Sequence, residues 1–421
     1  MASEWRAGIF EQAPLEIIDG DRGVNYPKRS EFSASGHCLF LNARNVTPSG
    51  FSFSERSFIS KERDALLGKG RLVRNDVVLT TRGTVGNVAY FDGSVPFEHM
   101  RINSGMVILR ARRPTLEPRY LYFFVRSALF GAQVSSLRTG SAQPQLPIRD
   151  INKIEIPIPP VPEQRAIAHI LGTLDDKIEL NQRMNEALEA MARTLFQSWF
   201  VDFDPVRAKA EGRDPGLPRE TAELFPDGFE ESELGEVPRG WSIASLGEIL
   251  ELAYGKALKQ EERRIGEVLV FGSNGQVGWH DQKLVDGPGI VVGRKGNPGV
   301  VTWAQTDFWA IDTAFYVVPR ADCSSLRWLY YALARQDLAS LGADSAVPGL
   351  NRNLAYMSLE LLPPRSIQDA FNSYVQPLFD RREHTDEQGR TLAGLRDALL
   401  PKLISGELRV KDAERFVARM V

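Results

Sequence analysis

The chain has 421 residues, 43% of them hydrophobic, with a net charge of −3 and two cysteines. That length supports two or three domains, and two cysteines so far apart (Cys38 and Cys323) exclude a disulfide-dense scaffold. No basic leader with an apolar core opens the sequence and no 18-residue apolar run occurs in it, so a cytoplasmic protein without a membrane segment is expected.

The charge is unevenly spread. Residues 1–160 hold 21 Lys and Arg against 15 Asp and Glu, or +6, whereas residues 161–236 hold 8 against 17, or −9. The first segment therefore allows a polyanionic partner, which the total alone would not suggest.

In chain order, residues 1–155 read as a mixed α/β domain, with strand-like runs at 37–42, 77–80 and 106–109 separated by turn residues. A helix is predicted from Pro118 to Phe130, with Tyr120, Leu121, Phe124 and Leu129 inward. Over residues 156–201 the prolines Pro157, Pro159 and Pro160 give way to a long helical pattern. Its apolar stripe runs through Ile167, Leu171, Leu174 and Ile178, meets polar Asn181, and continues through Met184, Leu188, Met191, Leu195 and Trp199. From Glu163 to Phe200 such a helix is roughly 57 Å long at 1.5 Å per residue, which suits a spacer between domains.

Residues 202–238 are rich in prolines and acids and read as an irregular linker. A second domain follows over 239–361, then a second long helix over 362–410. Ser366 and Asp369 have the spacing of a capping box, Pro401 is expected to kink or end this helix, and Gly406 suits its terminal turn. Residues 411–421 are expected to be frayed or to form a short extra helix.

The second half repeats the first. A shift of 204 places sets Pro159-Pro160 on Pro363-Pro364 and Gln164 on Gln368. The same shift sets the stripe on Phe371, Val375, Leu378, Arg382, Thr385, Gln388, Leu392, Leu395, Leu399 and Leu403. Upstream, Arg82-Gly83-Thr84-Val85-Gly86 matches Lys295-Gly296-Asn297-Pro298-Gly299 with a shift of 213, and Ile102 is matched with Ile311. The protein thus reads as a tandem duplication, domain-helix-domain-helix, with a pseudo-twofold relation. Two stripes in one register predict that the helices pair as in a coiled coil through Ile167, Leu171, Leu174, Ile178, Leu188, Leu195, Leu378, Leu392, Leu395 and Leu399. Asn181 and Thr385 either fix that register from inside the seam or twist out of it.

Motifs of catalysis are missing. There is no GxxxxGK[ST], no nucleophile elbow and no HExxH, and five histidines lie singly, so neither a catalytic nor a metal site is expected. Asp175 and Asp176 are neighbours that diverge by about 100° on a helix, and are expected to be solvated charge. The Gly-rich pieces 82–87 and 293–299 read as tight hairpin turns. They also place Arg82, Thr84 and Asn87, and Arg294, Lys295 and Asn297, where a DNA groove could be contacted. Each domain adds a polar stretch, with Ser141, Gln143 and Gln145 in the first and Ser345, Asn351 and Arg352 in the second.

IPIPPVPEQ at the head of the first long helix, RAKAEGRDPGLP in the linker, VPRGW, SAQPQL and the closing LPKLISGEL together resemble the specificity subunit of type I restriction-modification systems across essentially the whole chain. The resemblance implies two target-recognition domains, at 1–155 and 239–361, each reading half of a split site in double-stranded DNA. Two helices, at 156–201 and 362–410, would act as a ruler between them. It also implies a chain with no activity of its own that binds no cofactor. Two N6-adenine methyltransferase subunits using S-adenosylmethionine and two restriction-translocase subunits using ATP and Mg would be its partners. Consistent with this, the chain lacks the [DNS]PP[YFW] motif of such a methyltransferase, since Pro363-Pro364 is flanked by Leu362 and Arg365. The contrasting expectation is a duplicated coiled-coil adaptor whose domains bind proteins.

Overall fold

A computed structural model of the chain describes residues 5–140, 144–320, 322–343 and 349–417. It divides into two compact units, Met1–Leu180 with Gln388–Val421, and Asn181–Glu387. The two long helices, Val161–Phe200 and Arg365–Ser405, each give one part to either unit.

The two units share one topology. The first contains a four-stranded antiparallel sheet in the order Leu15–Asp19, Met106–Ala111, Asp76–Thr80, Val88–Phe91. The second has Leu250–Tyr254, Ala314–Pro319, Gly289–Gly293 and Val301–Ala304 in the same order. Each unit adds a three-stranded sheet with one antiparallel and one parallel pairing, centred on Cys38–Leu41 and on Val268–Gly272. The inner strands of the large sheets are buried on both faces, which is why they read as unbroken apolar runs. Alternate residues enter different cores. Val77 and Leu79 pack toward the helices, whereas Val78 packs with Leu39, Leu41 and Ile102 of the small sheet. In the second unit Ile290 and Val292 face the helices, and Val291 faces Phe271 and Phe308.

Several expectations are corrected. The strands set the shift between copies at 208 near Ile102, since Leu41 pairs with Ile102 as Phe271 pairs with Ala310. Matching Ile102 with Ile311 was one residue out, and such a slip exchanges the faces of a strand. The predicted helix from Pro118 to Phe130 is two, Pro118–Arg126 and Ala128–Leu137, because the Ser127 hydroxyl caps the second. Leu129 is 45% exposed and Phe130 takes the core position. Residues 155–158 belong to a strand paired with Arg6–Ile9, so the first long helix begins at Val161.

The segment 202–238 is not an irregular linker. It forms helices Asp204–Ala210 and Arg219–Ala222 and a hairpin of Phe229–Ser232 with Gly235–Pro238, and it buries Val206, Phe225 and Val237 in the second unit's core. Ser366 lies inside the second long helix, which starts at Arg365 on the Pro364 carbonyl, so it is no cap. That helix also runs through Pro401, a site where proline removes one ladder hydrogen bond, and ends at Ser405 before Gly406 at φ +74°. Residues Val410–Val417 form a helix with Ala413 buried in the first core.

The helix seam follows the predicted stripe with local drift. In the first unit Ile167, Leu171 and Leu174 are buried with Leu392, Leu399 and Leu403, and Ile178 and Leu395 pack against them partly exposed. In the second unit Leu195 and Leu378 are partly buried around Ala192, Phe196, Trp199, Phe371, Val375 and Phe379. Leu188 is half-buried and Met191 is 58% exposed. A 3.6-residue turn carries the stripe one place onward from Met191 to Ala192. Within this unit the helices run antiparallel, Asn181 lying beside Thr385, Glu189 beside Arg382 and Phe196 beside Phe371.

Asn181 and Thr385 are 3% and 1% exposed, so they lie in the seam and do not twist out of it. The Asn181 amide donates to the Thr385 carbonyl at 3.3 Å, and the Thr385 hydroxyl reaches the Asn185 side chain and the Arg381 carbonyl. Asp175 is likewise no solvated charge. Its carboxylate accepts from Arg126 at 2.7 Å and Arg396 at 2.8 Å, joining both long helices to the helix Pro118–Arg126. Asp176 pairs with Arg119.

Candidate nucleic-acid interface

The two Gly-rich turns are built by one backbone scheme. In the first unit Thr80 N–H donates to the Asn87 carbonyl at 2.9 Å and Gly86 N–H to the Thr80 carbonyl at 3.0 Å. In the second, Gly293 N–H donates to the Val300 carbonyl at 2.8 Å and Gly299 N–H to the Gly293 carbonyl at 2.9 Å. Both turns need two residues in the left-handed region: Gly83 and Gly86 at φ +73° and +98°, Gly296 and Gly299 at +84° and +80°. Only glycine takes these values without cost.

A second loop is pinned beside each turn. Thr139 and Gln145 exchange backbone hydrogen bonds of 2.9 Å, Gln145 bridges Arg82, and Leu146 N–H reaches the Thr81 carbonyl at 2.9 Å. Correspondingly Ala343 pairs with Gly349, Gly349 bridges Lys295, and Leu350 N–H reaches the Arg294 carbonyl at 2.8 Å. From below, Gly105 accepts from Thr81 and Arg82, and Thr313 accepts from Arg294 and Lys295. Arg82 and the polar stretch of the first domain are thus brought together, as are Lys295 and that of the second. Ser141, Gln143 and Ser345 lie outside the described residues.

The side chains divide by role. Arg82, Thr84, Lys295 and Asn297 are exposed. Asn87 works inward, its amide donating to the Val46 carbonyl at 2.9 Å. Asn351 caps the helix Arg352–Met357, accepting from Asn353 and Leu354 N–H groups. Arg294 and Arg352 are half-buried, each with its guanidinium 4.7 Å from the ring centre of Tyr254. Tyr254 is 51% exposed and was not singled out in the sequence, where the only hint is an aromatic beside Gly255-Lys256 at a strand end.

Elsewhere the ionisable groups hold the fold. The buried Arg101 guanidinium bonds the Asp64 carboxylate at 2.5 Å and the carbonyls of Asp64, Leu67 and Lys69. Burial pushes the Asp64 carboxyl up, but Arg101, with Arg71, more than offsets this and holds it below the ordinary value. Cys38 and Cys323 are buried free cysteines, and burial pushes their thiols up to about 12, which disfavours the thiolate. Among the described residues no group of His, Cys, Asp and Glu is placed to hold a metal ion, and no helix is long and apolar enough to cross a membrane.

A duplicated α/β unit with long paired helices is the architecture of a known class of protein. Residues 22–190 match the family of the type I restriction modification DNA specificity domain. The chain is 25% identical to the type I restriction enzyme HindI specificity subunit of Haemophilus influenzae, over 92% of this chain and 98% of that one. It is 26% identical to the MjaIX specificity subunit of Methanocaldococcus jannaschii, over 80% and 79%. Its fold is similar to the crystal structure of the type I restriction-modification system S subunit from M. genitalium, with a TM-score of 0.61 and 17% identity over 95% and 96% of the two chains. The resemblance read from the motifs is borne out.

Proposed function

We propose that this chain is the DNA sequence-recognition subunit of a type I restriction-modification complex. Each unit reads one half of a bipartite, asymmetric site in double-stranded DNA. The chain itself supplies no catalytic group. It positions two N6-adenine methyltransferase subunits, which use S-adenosylmethionine, and two restriction-translocase subunits, which use ATP and Mg.

One observation carries this reading: an identical backbone scaffold of turn and loop displays different exposed side chains in the two units, Arg82 and Thr84 in one, Lys295 and Asn297 in the other. A fixed frame with variable displayed groups is what two readers of unlike sequences require. The test is to co-express the chain with its methyltransferase partner in a methylation-free host and map N6-methyladenine by long-read sequencing. One split motif, methylated on opposite strands in its two halves, is the expected result. A stable complex that leaves the genome unmodified would favour the adaptor.

A further inference from the structure

The two units differ sharply at one equivalent place. Tyr254 pairs with Phe315 in the second unit as Asp19 pairs with Val107 in the first. By the matched turn and loop bonds, Arg294 takes the place of Thr81, and Arg352, two residues beyond Leu350, that of Ile148, two beyond Leu146. The second unit therefore has two guanidiniums over one exposed tyrosine ring, where the first has an aspartate, a threonine and an isoleucine.

The arrangement is not what the fold alone would select. Arg352 is the first residue of its helix, where the macrodipole disfavours a cation, and a second cation stands over the same ring. Among the described residues neither arginine forms an ion pair with a carboxylate. Each gives one hydrogen bond to a carbonyl, Arg294 to Asp312 at 3.0 Å and Arg352 to Leu252 at 3.4 Å. A guanidinium has five donors, so most remain for a partner. Stacking holds the planar fork in place and lowers the entropy lost when it binds.

We infer that Tyr254 is a positioning residue for Arg294 and Arg352, and that this group reads guanine in the half-site of the second unit, through the O6 and N7 acceptors that a fixed guanidinium fork matches. This rests on the proposed recognition function. The first unit has no counterpart and reads its half-site by other groups.

The test uses the full chain in complex with its methyltransferase. Duplexes carrying the mapped motif are compared with duplexes in which each guanine is replaced in turn by 7-deazaguanine, which lacks the N7 acceptor. Tyr254→Ala is expected to weaken binding roughly 5- to 150-fold and to abolish the penalty for 7-deazaguanine at one position of one half-site only. Tyr254→Phe, which keeps the ring, retains both. Uniform weakening on all duplexes with a shallower salt slope would identify a phosphate clamp and overturn guanine reading. An unaffected penalty, an effect in both half-sites, or a half-site pair with no sensitive guanine would also overturn it. A wild-type complex with no sequence-specific modification sinks the recognition function itself, which is a separate and prior result.

Discussion

Gln164 and Gln368, 204 residues apart, are both fully buried and make the same three hydrogen bonds in their own units. Gln164 accepts from Glu117 N–H at 2.8 Å and donates to the Thr115 and Pro159 carbonyls. Gln368 accepts from Ser324 N–H at 3.0 Å and donates to the Asp322 and Pro363 carbonyls. Each locks the first turn of a long helix to the head of the helix that backs the large sheet.

Replacing either glutamine by alanine strands a buried N–H and two carbonyls. Each substitution is expected to destabilise its unit by about 1–3 kcal/mol, from the desolvation left unanswered. Urea unfolding followed separately in each unit, by hydrogen exchange, measures this. No loss of protection in the substituted unit would refute it.

The seam gives a contrasting case. Asn181→Leu alone leaves a buried polar pocket around Thr385 and should cost about 1–3 kcal/mol. The double change Asn181→Leu with Thr385→Val keeps the backbone carbonyl that Asn181 bonds and also removes the hydroxyl that reaches Asn185, so it should cost at least as much as the single change, while weakening the choice of register. Cysteines placed across the seam of the double variant would report this, cross-linking at more than one register. A single cross-linked pair would show that the apolar stripe suffices.

Asp64 and Arg101 form a buried pair, so Arg101→Met should cost up to about 3–5 kcal/mol by leaving the buried carboxylate with the exposed Arg71 as its remaining arginine partner. The carboxyl is held below its ordinary value of 3.8 in the folded chain. Its contribution is therefore complete above pH 3.8 and is lost as the pH falls through the lower folded value. Acid titration of stability should show a step below pH 3.8 that is smaller in Arg101→Met.

Arg82→Ala and Lys295→Ala each remove an exposed cation from a turn held by the bonds of other groups. Both should fold normally, weaken DNA binding by the complex and, if the cation meets a phosphate, reduce the salt slope by about 1. Fluorescence anisotropy across a salt series measures it. Unchanged affinity in both variants would remove the turns from the interface.

The two thiols, buried and pushed up to about 12, should resist alkylation in the native chain and react only on unfolding. Fast native labelling at pH 8 would contradict the burial of Cys38 or Cys323.

The sequence by itself determined the duplication, the α/β class and the two long helices, because these rest on periodicity and repetition, which are properties of the chain. The Gly-rich turns were legible for the same reason, since positive φ restricts residue type at Gly83, Gly86, Gly296 and Gly299. Tertiary structure alone decided which polar side chains of the turns face inward. Asn87 looks as available as Thr84 in sequence, yet it binds the Val46 carbonyl from 41 positions away. Segment 202–238 reads as a linker because its apolar residues are sparse, and only contact with the second core orders it. Tyr254, Arg294 and Arg352 come from three separate stretches, and no local pattern foretells that two cations will share one ring. Packing between distant segments selects these positions, and a local period carries no record of it.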